Sequence, residues 1–322
     1  MDSLNNNPDF SPDSPAGPVA EAVPSSRPRP VVLLLLGGWG VAAKSAENPL
    51  SAARTPYFSR LLKDYPAALL KTGAKDLPSR YLTLGAGQEL TEADGAPGQT
   101  LTAIIAGQGW RQLKIAETER FAALTNFFNG ATEEKAVGEE WRIVSSEGSG
   151  STSRPILALR RLVKEIIKAI NEEEPFAFIA AAVPSLDLAA ESGDFNLVKK
   201  TMEALDKGLK KITSAVSDRQ GVLIITSGGG RAEKIVPLPA APAALSGAVP
   251  AAPAGPILSD NPVPFLAVGE EFRGKIIDPA QAEAKGDLSR LAARGSLADI
   301  APTVLKIFGL AAPRNMTGRA LF

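Results

Sequence analysis

Val31-Val32-Leu33-Leu34-Leu35-Leu36-Gly37-Gly38-Trp39-Gly40 is the stretch that decides the class of this chain. A run of valines and leucines that stops at a glycine turn reads as a strand buried on both faces, the pattern of a central strand in a parallel sheet. The apolar span Val31 to Ala43, preceded by Arg27-Pro28-Arg29-Pro30, also imitates a secretory leader. Gly37, Gly38 and Gly40 interrupt that span, and a strand followed by a glycine turn accounts for the same letters.

Outward from this strand, apolar runs alternate with amphipathic stretches, which favours a mainly parallel sheet covered by helices. Further strands are expected at Ala67 to Thr72, Gln112 to Ala116, Phe176 to Val183, Val222 to Thr226 and Pro264 to Val268. Asp194 is a good N-cap for a helix carrying Val198, Met202, Leu205, Leu209, Ile212 and Val216 on one face. A second helix runs from Pro155 to about Ile170, and a third starts at Thr55-Pro56. A fourth lies within Ser296 to Phe308 and ends at Gly309, with Pro302 either kinking it or marking its start. Residues 1–30, rich in Pro, Ser, Asn and Asp, are expected to be a disordered tail, and residues 31–322 a single domain. Thr91 to Thr100 and the proline-rich span Ile235 to Pro264 read as loops. No internal repeat is visible.

Lys plus Arg and Asp plus Glu are equal at 35 each. No overall field therefore draws the chain to nucleic acid or to an anionic bilayer, and neither is expected as a partner. Cysteine and histidine are absent. That removes disulfides, thiol catalysis, imidazole bases and imidazole metal ligands together, and leaves carboxylates, hydroxyls, lysine and arginine for any chemistry. No apolar run is long enough to span a membrane, and the protein is expected in the cytoplasm.

Several segments resemble, in order along the chain, the cofactor-independent phosphoglycerate mutases of the alkaline-phosphatase superfamily. They are Leu33 to Gly40, Thr55-Pro56, Tyr65-Pro66, Leu77-Pro78, Leu84-Gly85-Ala86-Gly87, Gln112 to Arg120, Asn126-Phe127-Phe128-Asn129-Gly130, Gly295 to Leu305 and Met316-Thr317-Gly318. The resemblance implies a three-layer α/β/α sandwich with a mainly parallel sheet. It also implies the chemistry of that family, in which a serine is phosphorylated beside two manganese or magnesium ions held by Asp, His and the serine itself.

Carried over position by position, the resemblance finds that chemistry erased. The first-strand aspartate of the family is Gly37 here, and an Asp-His pair has become Gly228-Gly229. Asp187 matches a family aspartate, Glu191 stands for a histidine, and Leu258 stands for another. The segment with the nucleophilic serine is deleted between Pro78 and Leu84, so no catalytic residue is expected. Ser79 and Thr83 read as ordinary loop hydroxyls, poor nucleophiles without an activating partner. The family's substrate domain is replaced by the loop 91–100. Arg120 stands where the family has a substrate-contacting lysine and is the one candidate substrate-binding residue, although a solvated surface arginine explains it as well. Gly228-Gly229-Gly230 lacks the context of a phosphate loop.

These readings point to a pseudoenzyme acting as a binding or assembly protein with an unidentified protein partner. No cofactor and no bound metal are expected. The alternative is a mutase or phosphatase with a manganese or magnesium site rebuilt around Asp187 and Glu191, with Asp260 as an optional further ligand; without a metal, the carboxylates of Asp187 and Glu191 are expected to point to solvent. A third reading, a small-molecule sensor, uses the cleft around Arg120.

Overall fold

β1 (Val31–Leu36), β2 (Ala67–Lys71), β3 (Gln112–Glu117), β4 (Glu139–Val144), β5 (Phe178–Val183), β6 (Val222–Thr226), β7 (Val263–Val268) and β8 (Ala293–Ser296) form one sheet in a computed structural model. The structure describes residues 29–145, 154–235, 258–284 and 286–322. The tail expected over residues 1–30 and the loop expected from Ile235 to Pro264 therefore fall largely outside the described residues.

The strand order is β4-β3-β5-β1-β6-β7-β2-β8. β1 lies inside the sheet, parallel to β5 and to β6, and is buried along its whole length, as its uninterrupted valines and leucines require. Only β7 runs against its neighbours β6 and β2. All the strands expected from sequence are present; β4 and β8 are additions at the two edges.

Helices cover both faces. α1 (Pro49–Ala52), α2 (Pro56–Asp64), α5 (Pro155–Ile170), α6 (Ser185–Glu191) and α7 (Phe195–Asp218) pack together on one side. On the other side α3 (Leu77–Ala86) packs against α4 (Leu101–Gly107) and α9 (Ile300–Ile307), and a short α8 (Ala280–Ala284) lies elsewhere in the chain. α7 begins as its sequence dictates, with the Asp194 carboxylate accepting from the amides of Asn196 at 2.8 Å and Leu197 at 3.1 Å. Its apolar stripe from Val198 to Val216 faces the core. Pro302 falls in the first turn of α9, so it marks that helix's start rather than kinking it. Leu297–Asp299 ahead of it is a separate turn of 3-10 helix. The segment 91–100 is a loop holding one 3-10 turn, Glu92–Asp94. No helix among the described residues is long and apolar enough to cross a membrane.

α3 corrects one expectation. Ser79 and Thr83 are not loop hydroxyls, because the stretch between Pro78 and Leu84 is helical and almost wholly buried. Asp76 caps the helix, accepting from the Ser79 amide at 2.7 Å, and Gly87 ends it in the left-handed region at φ 64°. Gly85 sits so close to the Phe128 carbonyl that no side chain fits between them, which brings two of the sequence segments of the resemblance into direct contact.

Candidate functional site

In an open α/β sheet, the carboxyl ends of the strands are where side chains from separate elements converge. β1 here ends at Gly37, β3 at Glu117, β5 leads through Pro184 into α6, and β6 runs into Ser227-Gly228-Gly229-Gly230. Backbone bonds stitch these ends together. The Gly37 amide donates to Val183 O at 3.0 Å, the Gly38 amide to Gly229 O at 3.0 Å, and the Asp187 amide to Gly37 O at 3.2 Å. Gly38 takes φ 86°, and a Cβ there would meet the backbone of Asp187 at 2.5 Å, so only glycine serves this close approach.

The positions that the resemblance marks as former ligands are gathered at this edge. A Cβ on Gly37 would lie 3.8 Å from the Asp187 Cβ, and one on Gly229 would lie 3.3 Å from Leu258. What surrounds them is cationic. Arg120 Nη2 donates to Asp187 Oδ2 in a close ion pair, and Arg231 Nη1 lies 3.6 Å from Asp187 Oδ1 and 3.1 Å from Glu191 Oε1. A Cβ on Gly228 would meet the Tyr81 ring at 2.9 Å, and one on Gly229 would collide with the guanidinium of Arg80.

Two expectations therefore need correction. Asp187 does not point to solvent, being 1% exposed between two arginines, and Arg120 is no solvated surface residue, being 7% exposed. α6 places Asp187 and Glu191 one turn apart, close enough for Arg231 to bridge them. Burial alone would make Arg120 release its proton more easily, but Asp187 and Tyr81 outweigh this and leave the guanidinium holding its proton more tightly than usual. Burial and the neighbouring Asp187 raise the Glu191 carboxyl, against the opposing pull of Arg231 and Arg120. Burial pushes the Tyr81 phenol up to about 12, with Arg120 opposing and Asp187 adding to the shift.

Glu117 lies at the end of β3 and is fully buried, with neither carboxylate oxygen hydrogen-bonded. Burial first, and Glu119 second, push its carboxyl up to about 7, with Arg120 opposing. On the far side of the glycine loop, Glu233 accepts from the Gly40 amide at 3.1 Å, from Asn261 Nδ2 at 2.9 Å and from Ser259 Oγ. Sequence reading overlooked Arg80, Arg231, Glu117 and Glu233. The available signal was an arginine beside two of the segments that the resemblance marks as altered, Arg231 after the triple glycine and Arg80 between Pro78 and Leu84.

The residues present do not fit a divalent cation. A hard cation needs several oxygen ligands. Gly37, Gly228 and Gly229 have no side chain to give, Leu258 is apolar, and Asp187 and Glu191 are already neutralised by guanidinium groups. Among the described residues no group of three or more His, Cys, Asp or Glu side chains is placed to hold a metal ion.

Comparison with known proteins agrees with the fold and with the family resemblance. A 2,3-bisphosphoglycerate-independent phosphoglycerate mutase of Chloroflexus aggregans is 30% identical over 223 residues, covering 69% of this chain and 37% of that protein. The chain spans between 37% and 39% of the length of such relatives. Among solved structures, the phosphoglycerate mutase of Leishmania mexicana superposes with a TM-score of 0.52 at 20% identity, covering 69% of this chain and 39% of that one. A protein in the alkaline phosphatase superfamily from Vibrio parahaemolyticus superposes with a TM-score of 0.56 at 15% identity, covering 92% of this chain and 70% of that one. Residues 29–312 match the Metalloenzyme superfamily, and with the motifs in order along that span the chain belongs to this superfamily and is related to its phosphoglycerate mutases.

Proposed function

We propose that this chain is a non-catalytic member of its superfamily, a cytoplasmic protein that acts by binding or assembling with a protein partner. The observation that carries the reading is the fate of Asp187. It is held between Arg120 and Arg231, so the carboxylate at a family ligand position serves as the anion of an internal ion cluster. A metal or phosphoryl-transfer site rebuilt around Asp187 and Glu191 would first have to pull both carboxylates away from Arg231. The same arrangement disfavours a sensor that uses Arg120 to grip an anion, because Arg120 already gives Nη2 to Asp187 and Nη1 to the Glu119 carbonyl, the latter at 3.2 Å. The equal numbers of acidic and basic residues supply no field for nucleic acid or a membrane, which leaves a protein surface as the partner.

Purified chain assayed with phosphoglycerate and with an aryl phosphate, in manganese and in magnesium, should show no turnover above the buffer. Affinity capture from the source cell should return a partner in fixed ratio. Turnover that requires manganese and disappears in an Asp187→Asn variant would establish the rebuilt-site enzyme instead.

A further inference from the structure

Arg80 stands on α3 with none of its surface exposed, and burying a cation so completely demands compensation. Its Nε donates to Ala74 O at 2.6 Å and its Nη2 to Ser259 O at 3.3 Å, while Nη1 has no hydrogen-bond partner. That third nitrogen faces Gly229, at the spot a Cβ would claim, and the Leu258 side chain closes the same spot from the other side at 3.3 Å. Burial draws the Arg80 pKa down, and the charges of Asp260, Asp76 and Glu233 oppose that effect. Asp76 caps α3, and Glu233 holds Gly40, Ser259 and Asn261. The guanidinium thus links α3 to the segment ahead of β7 and fills the space beside the glycine loop after β6, parts of the chain that no short connection holds to α3.

We propose that Arg80 is a built-in cation that takes the place of a metal ion in this fold. Its guanidinium fills the corner between Gly229 and Leu258 and binds the backbone on either side of it. A planar fork of fixed charge suits a corner lined by the carbonyl oxygens of Ala74 and Ser259, and it stays charged even when buried. Being covalently attached, this cation needs no supply from solution and cannot be removed by a chelator. Gly229 follows from the same geometry, because any side chain there would displace the guanidinium. The assignment stands apart from the question of turnover, since it concerns what holds this corner together.

The test is chemical rescue of stability. Arg80→Ala should lower the melting temperature by about 5 °C or more. Millimolar ethylguanidinium should restore at least half of that loss, while equal concentrations of ethylammonium or sodium chloride should not. A variant as stable as the parent, or one that ethylguanidinium leaves unmoved, overturns the assignment. Should Arg80→Ala fail to fold, Gly229→Ala carries the test. Its added methyl must push the guanidinium out, so it should melt well below the parent, and parental stability in that variant overturns the assignment as well.

Discussion

Asp187→Asn should destabilise the protein by about 3 to 5 kcal/mol, because it leaves the buried Arg120 without its anion and Arg231 with Glu191 alone. The asparagine keeps the volume and one acceptor oxygen, so the loss reports charge rather than packing. For a domain of this size the melting temperature should fall by roughly 10 °C. Removing Arg120 at the same time should return part of the loss, since the pair acts as a unit. Urea denaturation of the two single variants, Asp187→Asn and Arg120→Met, and of the double variant measures this coupling. Additive losses would mean that Asp187 and Arg120 are neighbours without being partners.

Glu117→Gln should have the opposite sign and a strong pH dependence. The folded chain raises this carboxyl from its ordinary 4.5 to about 7, so between those values the folded state holds a proton that the unfolded state has released. Stability from this group is complete below the unfolded value, is lost as pH rises through the window and stays lost above the folded value. A shift of that size corresponds to about 3 kcal/mol at alkaline pH. Glutamine has the shape of the protonated acid and no charge to expose. The variant should match the parent near pH 4 and be more stable by about that amount near pH 8, as read from denaturation curves across the range. Parallel profiles for variant and parent would show that Glu117 has found a partner or reaches solvent.

The interior of this fold was legible because its residues obey one rule each. β1, β5 and β6 are buried on both faces and are written almost entirely in Val, Leu, Ile, Ala and Phe, and α5 and α7 carry a clean apolar stripe with standard starts. β4 hid because it opens with two glutamates. Glu139 is nonetheless buried, accepting from Asn129 Nδ2 at 2.9 Å and 3.0 Å and lying 3.7 Å from the buried Lys114 Nζ. Such compensation comes from residues on other elements and leaves no trace in the local pattern. β8, Ala-Arg-Gly-Ser, is too short and too polar to announce itself. α3 was obscured by a different cause. Its letters resemble the flanks of the family's nucleophile segment and so read as a loop, whereas Asp76, Pro78 and Gly87 spell an ordinary helix start and stop.

At the candidate site, the positions that the resemblance marks as ligands could be picked out by order along the chain, and the structure places Gly37 beside Asp187 and Gly229 beside Leu258 at one edge of the sheet. The charges that now occupy that edge could not be read so directly. An arginine in a sequence is a surface residue by default. Arg80, Arg120 and Arg231 depart from that default because the Ser259 carbonyl, Asp187 and Glu191 are folded against them from distant parts of the sequence.

Arginines neutralise the carboxylates at this edge of the sheet from within. Melting curves of the same preparation in manganese, in magnesium and in EDTA test this most directly. A ligand that prefers the folded state raises its stability by RT ln(1 + [L]/Kd), so a site of micromolar affinity adds roughly 4 kcal/mol at millimolar metal. The three curves should superimpose, and elemental analysis should find far less than one metal ion per chain. Stoichiometric manganese, magnesium or zinc, or a rise of several degrees that EDTA reverses, would contradict it.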